Sequence, residues 1–440
     1  MTRRLEVLGG ADPVEVGAAL RAALDGSGPA ILPREAGTAA PAATGQVREV
    51  RAGEVRAADV RAGEMPVGEL PPANTTQAAR HASLVAVGDA HPVPAEVAKN
   101  VALVIETSGS SGVPKRVALS ADALLASAAA TEAHLGGGGQ WLLALPSHYI
   151  AGVQVLVRSI VAGTDPVVMP PGHFSARSFA GLVDTLTAPL KFSSIVPAQL
   201  ARLVDAAEND NGVRESLGRL DALLIGGQAV PAALFSRAND LGLSVMRTYG
   251  SSETAGGCVY DGHPIGRTVV RITGGELELS GPMLAEGYLG DDELTARKFY
   301  TDAGVRWYRT ADSGDVTGSA EAGSPGVTVT VTGRIDNVII SGGIKVALDR
   351  VERAVQAQEG FHTAIVVPQP SAEWGQTPVV VTAEPYGPGA LDQLRARVTE
   401  LVGRAAAPTR IVLLPSIPTL SSGKPDRLSV ARSLAAHPLD

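Results

Sequence analysis

At 440 residues the chain exceeds what one hydrophobic core usually supports, so two domains are expected. A formal charge of −8 excludes a general affinity for nucleic acid or anionic lipid, while leaving room for a local basic pocket that holds phosphates. With Cys258 as its one cysteine, neither an intramolecular disulfide nor a multi-cysteine metal site is open to it.

Hydrophobic residues make up 45% of the chain and aromatic ones only 4%, so a sizeable core must lean on Ala, Val and Leu. The start, MTRRLEVLGGADPVEV, has two arginines without an apolar run of signal-peptide length behind them. No window reaches the roughly 20 apolar residues that span a bilayer. A soluble cytoplasmic protein is the expectation.

Residues 28–80 are rich in Pro, Ala, Gly and charge and contain a near-repeat, Val50-Arg-Ala-Gly-Glu and Val60-Arg-Ala-Gly-Glu. A solvated, loosely ordered excursion is expected there. From Val101 strands and helices alternate. Val101–Ile105 and Arg116–Leu119 are short apolar runs, and Ser120 is placed to cap an alanine-rich helix that stops at Gly136–Gly139. Trp141–Leu145, Pro166–Met169, Ser193–Val196, Leu223–Ile225 and Ser244–Thr248 read as further buried strands between helices, which implies a largely parallel sheet covered on both faces. After about Gly274 the texture becomes β-rich, with period-two alternation at Glu276–Ser280 and Val327–Thr332. The tail reads as a compact α+β unit: helices at Leu348–Gln358 and Ala390–Arg404, strands at Thr363–Val367 and Val379–Ala383. The fold class is therefore α/β. A large N-terminal domain of mixed and parallel sheets with flanking helices, 1–335, precedes a small mobile α+β domain, 336–440.

Between the first two strands lies Thr107-Ser108-Gly109-Ser110-Ser111-Gly112-Val113-Pro114-Lys115. Small residues let several backbone N–H groups converge on one anion, the hydroxyls add donors, and Lys115 brings a charge suited to polyphosphate. It is not a Walker A loop, since Lys115 has no Gly before it, no Ser or Thr after it, and no helix starting there. By itself the segment could equally be a flexible turn.

The loop resembles the phosphate loop of the adenylate-forming superfamily of acyl-CoA synthetases, adenylation domains and luciferases. Six further stretches match that family in the same order: Leu145-Pro-Ser-His-Tyr, Gly226-Gly-Gln-Ala, Tyr249-Gly-Ser-Ser-Glu253, Tyr308-Arg-Thr-Ala-Asp312, Gly333-Arg-Ile-Asp336 and Ser421-Ser-Gly-Lys424. Each is weak alone, but the ordered set is specific and covers residues 101–427.

The resemblance implies a carboxylate activated with ATP and Mg²⁺ as an acyl-adenylate, then passed to coenzyme A. Thr107–Lys115 would close over the β- and γ-phosphates, and Glu253 would bind Mg²⁺ through a hard oxygen ligand. Tyr249 would stack on adenine beside the backbone of Gly226 and Gly227, with Gln228, Gly250 and Ser251 in the same ATP site. Ser252 stands where the family usually has Thr and keeps a hydroxyl for the α-phosphate. Asp312 would accept the ribose hydroxyls, next to Ala311, which replaces a common Gly. Arg334 would add a ribose or phosphate contact, and Asp336 falls at the hinge between domains. Lys424 matches the lysine that bonds the substrate carboxylate and α-phosphate and stabilises the adenylation transition state. For the second half-reaction the small domain rotates, and the loop with Gly342, Gly343 and Lys345 lines the tunnel for the pantetheine thiol. Leu348 and Arg350 depart there from the usual Pro and Glu, while Glu352 is retained.

Leu145–Gly163 and Tyr249–Asp261 are similar to the o-succinylbenzoate–CoA ligase family of menaquinone synthesis, as found in actinobacteria. That substrate's second carboxylate calls for a cation or fixed donors opposite the reacting end. Arg158, on a helix otherwise lined by Val153, Leu156, Val157 and Ile160, is the candidate. His148 would border the acyl and thiol channels, and Gly256 and Gly257 would floor the acyl pocket. Other aryl or fatty acids, carrier-protein loading, and a homodimeric assembly stay open on these grounds. A non-catalytic nucleotide-binding regulator is disfavoured, because a pure binder has no need of Lys424.

Overall fold

The computed structural model describes residues 1–10, 12–35, 92–107, 114–318, 326–371, 373–420 and 424–436. The architecture is α/β with several mixed sheets. Among the described residues no helix is long and apolar enough to cross a membrane.

The first sheet has six strands in the order Gly287–Tyr288, Lys115–Ser120, Val101–Thr107, Ala30–Arg34, Thr2–Gly9, Glu96–Ala98. Thr2–Gly9 and Ala30–Arg34 run parallel and are joined by the helix Pro13–Asp25. That helix starts where Asp12 accepts the N–H groups of Val14 and Glu15, with Pro13 at its first position, and ends at Gly26 in the left-handed region (φ 81°). The strand Ala30–Arg34 is buried throughout. This corrects the expectation that a loose excursion begins at residue 28. The near-repeat after Val50 lies outside the described residues.

A second sheet orders seven strands as His263–Pro264, Gly256–Tyr260, Val245–Ser251, Ala222–Ile225, Lys191–Ile195, Gln140–Leu143, Val167–Val168. Its last five are mutually parallel, as the βαβα pattern predicts. Alternate residues feed two cores: Trp141, Leu143, Phe192 and Leu224 pack in one, Leu142, Ile195, Leu223 and Ile225 in the other. The alternation starts later than expected. Val101–Thr107 and Lys115–Ser120 pair antiparallel with each other in the first sheet, so the parallel run of the second sheet begins only at Gln140. Between them and the second sheet lies the helix Ala121–Leu135. Ser120 caps it by accepting the Ala123 N–H, and Gly136 (φ 85°) ends it, as read from sequence.

A four-stranded antiparallel sheet (Val269–Thr273, Glu276–Ser280, Val305–Arg309, Phe299–Asp302) and the pair Asp312–Thr317 and Thr328–Arg334 follow. From Val338 on the chain builds a separate five-stranded sheet with helices Leu348–Gln356, Ala390–Val402 and Arg427–Ala436. Its two faces carry their own cores, one around Val351, Val366, Val380 and Leu394, the other around Val367, Val379, Val381 and Val430.

Candidate active site

Thr107 and Lys115 face each other across the last pair of an antiparallel ladder. Ser108, Gly109, Ser110, Ser111 and Gly112 lie outside the described residues. Beneath the loop Glu106 accepts hydrogen bonds from Arg34 and, at 2.9 Å, from Arg116, so two arginines and one carboxylate brace its root.

Tyr249 to Glu253 form the end of a central strand of the second sheet and a following single turn of 3₁₀ helix, Ser252–Thr254. Gly250 is required there. A Cβ would sit 2.1 Å from the Gly256 carbonyl oxygen, at the register shift where the two strands pinch together. Ser252 is buried, and Glu253 is half-buried at the turn. The Tyr288 hydroxyl donates to Glu253 Oε1 at 2.8 Å, while the other carboxylate oxygen makes no hydrogen bond among the described residues.

Tyr249 donates its hydroxyl to Asp312 Oδ2 at 2.6 Å. Arg334 comes within 3.5 Å of Asp312 Oδ1 and holds Asp336 through Nε and Nη2 at 2.7 and 2.6 Å. Burial raises the Asp312 carboxyl above the ordinary aspartate range, against the pull of Tyr249 and Arg334. The Arg334 hydrogen bonds lower Asp336 instead. Ala311 adopts φ 65°, a left-handed backbone that glycine would take at lower cost.

Gly226 and Gly227 end the neighbouring strand Ala222–Ile225, with Gln228 after them. A Cβ on Gly226 would meet Thr248 Oγ1 at 2.5 Å, and Gly227 (φ 84°) faces Lys424, whose Cε would lie 3.5 Å from such a Cβ. The turn carrying Lys424 is closed by Leu420 N–H donating to the Lys424 carbonyl at 2.8 Å. Lys424 keeps solvent-accessible surface, but desolvation by the surrounding walls lowers its pKa, against the attraction of Glu253 and together with the like charge of Arg334. Lys424 and Glu253, distant in sequence, are thus close enough for the carboxylate to attract the ammonium.

Arg158 is 7% exposed on the helix Ile150–Ala162. Its guanidinium stacks over Trp141, 4.9 Å from the ring centre, and Nη2 donates to Tyr260 Oη at 3.3 Å. Nε has no partner and no carboxylate among the described residues pairs with it, so desolvation lowers its pKa. Tyr260 Oη is itself 2.9 Å from Thr131 Oγ1. His148, in the turn before that helix, has a buried Nε2 without a partner among the described residues. Desolvation lowers its pKa, opposed by Glu35.

Gly256 and Gly257 lie where strand, tyrosine and helix approach closely. A Cβ at Gly256 would press on Gln154 Cγ at 3.2 Å, and one at Gly257 on Tyr260 at 2.9 Å and Thr248 at 3.2 Å. Protein side chains fill that space, so these glycines let strand, tyrosine and helix approach closely. Gln154 adds a bond from Nε2 to the Ala255 carbonyl at 2.7 Å.

Gly342 and Gly343 (φ 56° and 80°) form the two-residue turn of the hairpin Val338–Ser341 and Ile344–Ala347, with Lys345 exposed beside it. Gly342 donates its N–H to the Trp374 carbonyl at 2.9 Å and packs under the indole. Tyr288, Tyr260 and Gln154 escaped the reading of the sequence. Tyr288 carried a faint signal, an aromatic between two glycines in Gly287-Tyr-Leu-Gly290, while Gln154 and Tyr260 lie inside the stretches Leu145–Gly163 and Tyr249–Asp261 without being singled out there.

A carboxylate that attracts an ammonium and a second carboxylate bonded to a tyrosine hydroxyl suit nucleotide-dependent activation of an acid. The AMP-binding enzyme profile matches residues 17–289, and the chain belongs to that family. A Mycobacterium tuberculosis (strain H37Rv) protein named "Probable 2-succinylbenzoate--CoA ligase" is 37% identical over 346 residues, 78% of this chain and 87% of that one. The 2-succinylbenzoate–CoA ligase of Escherichia coli K12 is 30% identical over 327 residues, 72% of this chain and 65% of the longer relative. Among solved structures, an E. coli MenE variant with bound OSB-AMS superposes with a TM-score of 0.60 at 26% identity, over 76% of this chain and 69% of that one.

Proposed function

We propose that this chain is an AMP-forming 2-succinylbenzoate–CoA ligase of menaquinone synthesis, working in the cytoplasm. The observation that carries the chemistry is the approach of Lys424 to Gly227, with Glu253 near enough to attract its ammonium. The observation that favours this acid is Arg158, a buried guanidinium without a carboxylate partner among the described residues, whose environment calls for an anion.

Asp312 and Tyr249 take the adenosine end of ATP, with Arg334 held in place by Asp336. Thr107 and Lys115 anchor the loop that meets the β- and γ-phosphates. Lys424 draws the substrate carboxylate and the α-phosphate together and neutralises charge as one carboxylate oxygen bonds to the α-phosphorus and pyrophosphate leaves. Glu253 suits Mg²⁺. Among the described residues nothing hydrogen-bonds its Oε2, and no cluster of three or more His, Cys, Asp or Glu could cage a metal alone. A hard cation with most of its shell from phosphate and water fits one such carboxylate. When bound, Mg²⁺ supplies charge neutralisation on the departing pyrophosphate.

In the second half-reaction the small domain, hinged at Asp336, turns to bring Gly342, Gly343 and Lys345 over the site. The coenzyme A thiol gives its proton to solvent, its sulfur bonds to the acyl carbon, and the acyl carbon–oxygen bond breaks with AMP leaving on the electron pair. His148, whose Nε2 has no hydrogen-bond partner among the described residues, would border that approach.

AMP and acyl-CoA formation from ATP, Mg²⁺ and coenzyme A, measured across o-succinylbenzoate, benzoates, short and long fatty acids and amino acids, tests the reading. A clear preference for o-succinylbenzoate is expected, and Arg158→Ala should raise its KM more than that of ATP. AMP release with another acid would keep the chemistry and remove the substrate. No AMP with any acid would remove both.

A further inference from the structure

Glu253 is held from two sides by the short segment Ala285–Leu289. The Ala285 N–H donates to the Glu253 backbone carbonyl at 2.8 Å, and the Tyr288 hydroxyl donates to its carboxylate at 2.8 Å. The same segment is stitched to the strand that starts at Lys115: Glu286 N–H to the Ala118 carbonyl at 2.8 Å, Tyr288 opposite Val117, and Leu289 N–H to the Arg116 carbonyl at 2.7 Å. Gly287 makes the close passage possible, since at φ 150° a Cβ would lie 2.4 Å from Thr295 Cγ2. Thr295 Oγ1 in turn bonds the Tyr288 N–H at 2.9 Å. The phenol is 5% exposed and leans on Phe299, ring centres 5.9 Å apart.

A carboxylate on a one-turn helix swings freely unless something pins it. We propose that Tyr288 is the positioning residue for the metal-binding Glu253. Its hydroxyl occupies Oε1 and leaves Oε2 for the cation, and its strand keeps that carboxylate in fixed register with the root of the phosphate loop. Hydrogen-bond partners of metal-ligating carboxylates govern metal affinity because they restrict the ligand's rotation before the ion arrives. The inference rests on the proposed role of Glu253.

Tyr288→Phe removes the one hydroxyl and keeps the ring. The test uses the full chain with a non-hydrolysable ATP analogue and Mn²⁺ in place of Mg²⁺, counting free Mn²⁺ by electron paramagnetic resonance. Nucleotide affinity without metal is measured alongside. The expected result is a Mn²⁺ dissociation constant raised about 10-fold, with metal-free nucleotide binding and melting temperature close to wild type. Phe299→Leu, which loosens the packing but keeps the hydroxyl, should lower the melting temperature and leave Mn²⁺ affinity alone. Unchanged Mn²⁺ affinity in folded Tyr288→Phe, or equal weakening by Phe299→Leu, overturns the role of Tyr288 while leaving Glu253 as ligand. A wild-type protein that binds nucleotide but no Mn²⁺ overturns the Glu253 assignment and Tyr288 with it.

Discussion

Arg334 lays one edge of its guanidinium across both carboxylate oxygens of Asp336, at 2.7 and 2.6 Å, and turns its remaining nitrogen toward Asp312, 3.5 Å away. Both members of the pair are about half exposed, so its contribution is modest, on the order of 1 kcal/mol. What it does is aim. Asp336→Ala should therefore raise the KM for ATP roughly 2- to 5-fold in pyrophosphate exchange, with the KM for the acid unchanged. An unaltered ATP KM would mean that Arg334 needs no anchor.

Lys424→Ala should slow acyl-adenylate formation by at least ~10²-fold, the scale for losing a transition-state charge partner, and still transfer a supplied acyl-adenylate to coenzyme A. Equal damage to both steps would contradict a lysine that serves only the first. The pH profile adds a check. Lys424 acts as a cation, and desolvation places its pKa below the ordinary lysine range. The kcat/KM for adenylation should then fall as pH rises through that lowered value, before free lysine would deprotonate. Lys424→Arg should move this alkaline limb upward.

Gly250→Ala places a methyl 2.1 Å from a backbone carbonyl that no rotamer can relieve. A loss of about 3 kcal/mol, the upper end for overpacking, is expected in chemical denaturation. Gly181→Ala, in the exposed interior of the helix Ala176–Val183 with open space around it, should instead stabilise by roughly 0.5–1 kcal/mol. If both variants melt alike, close approach is not what holds glycine at position 250.

Glu106 loses solvation by partial burial, yet its bonds to Arg34 and Arg116 hold its pKa below the ordinary carboxylate value. A folded pKa depressed below the unfolded one contributes stability that is complete above the unfolded value and disappears as pH falls through the folded one. Glu106→Gln should cost on the order of 3 kcal/mol at pH 7. That difference from wild type should shrink as unfolding is measured at successively lower pH through the acid range. A constant difference would show that the carboxylate's charge is not what counts.

Much of the site could be read before any fold was known, because its signals are local. Ser120 and Gly136 bound their helix through caps that act within a few residues. The period of the apolar runs marks the parallel strands from Gln140 to Ser251, and the ordered motifs point to Tyr249, Glu253, Asp312, Arg334 and Lys424. The two clearest departures come from partners that sit far away. Ala30–Arg34 is a buried strand despite its Pro- and Ala-rich surroundings, because Thr2–Gly9 and Val101–Thr107 flank it. Val101–Thr107 and Lys115–Ser120 look like the opening of a parallel path, yet pair with each other in a different sheet.

Read alone, the order of amino acids establishes which residue types stand ready for adenylate chemistry and which short segments become helix or strand, since capping, periodicity and small-residue loops are decided by sterics over a few positions. It took the folded chain to settle that Lys424 reaches Gly227, that Tyr288 pins Glu253, and that Arg158 is buried over Trp141 with no carboxylate partner among the described residues. Those contacts join residues separated by tens to hundreds of positions, and they are chosen by sheet order and by the burial of whole faces, which no local pattern encodes.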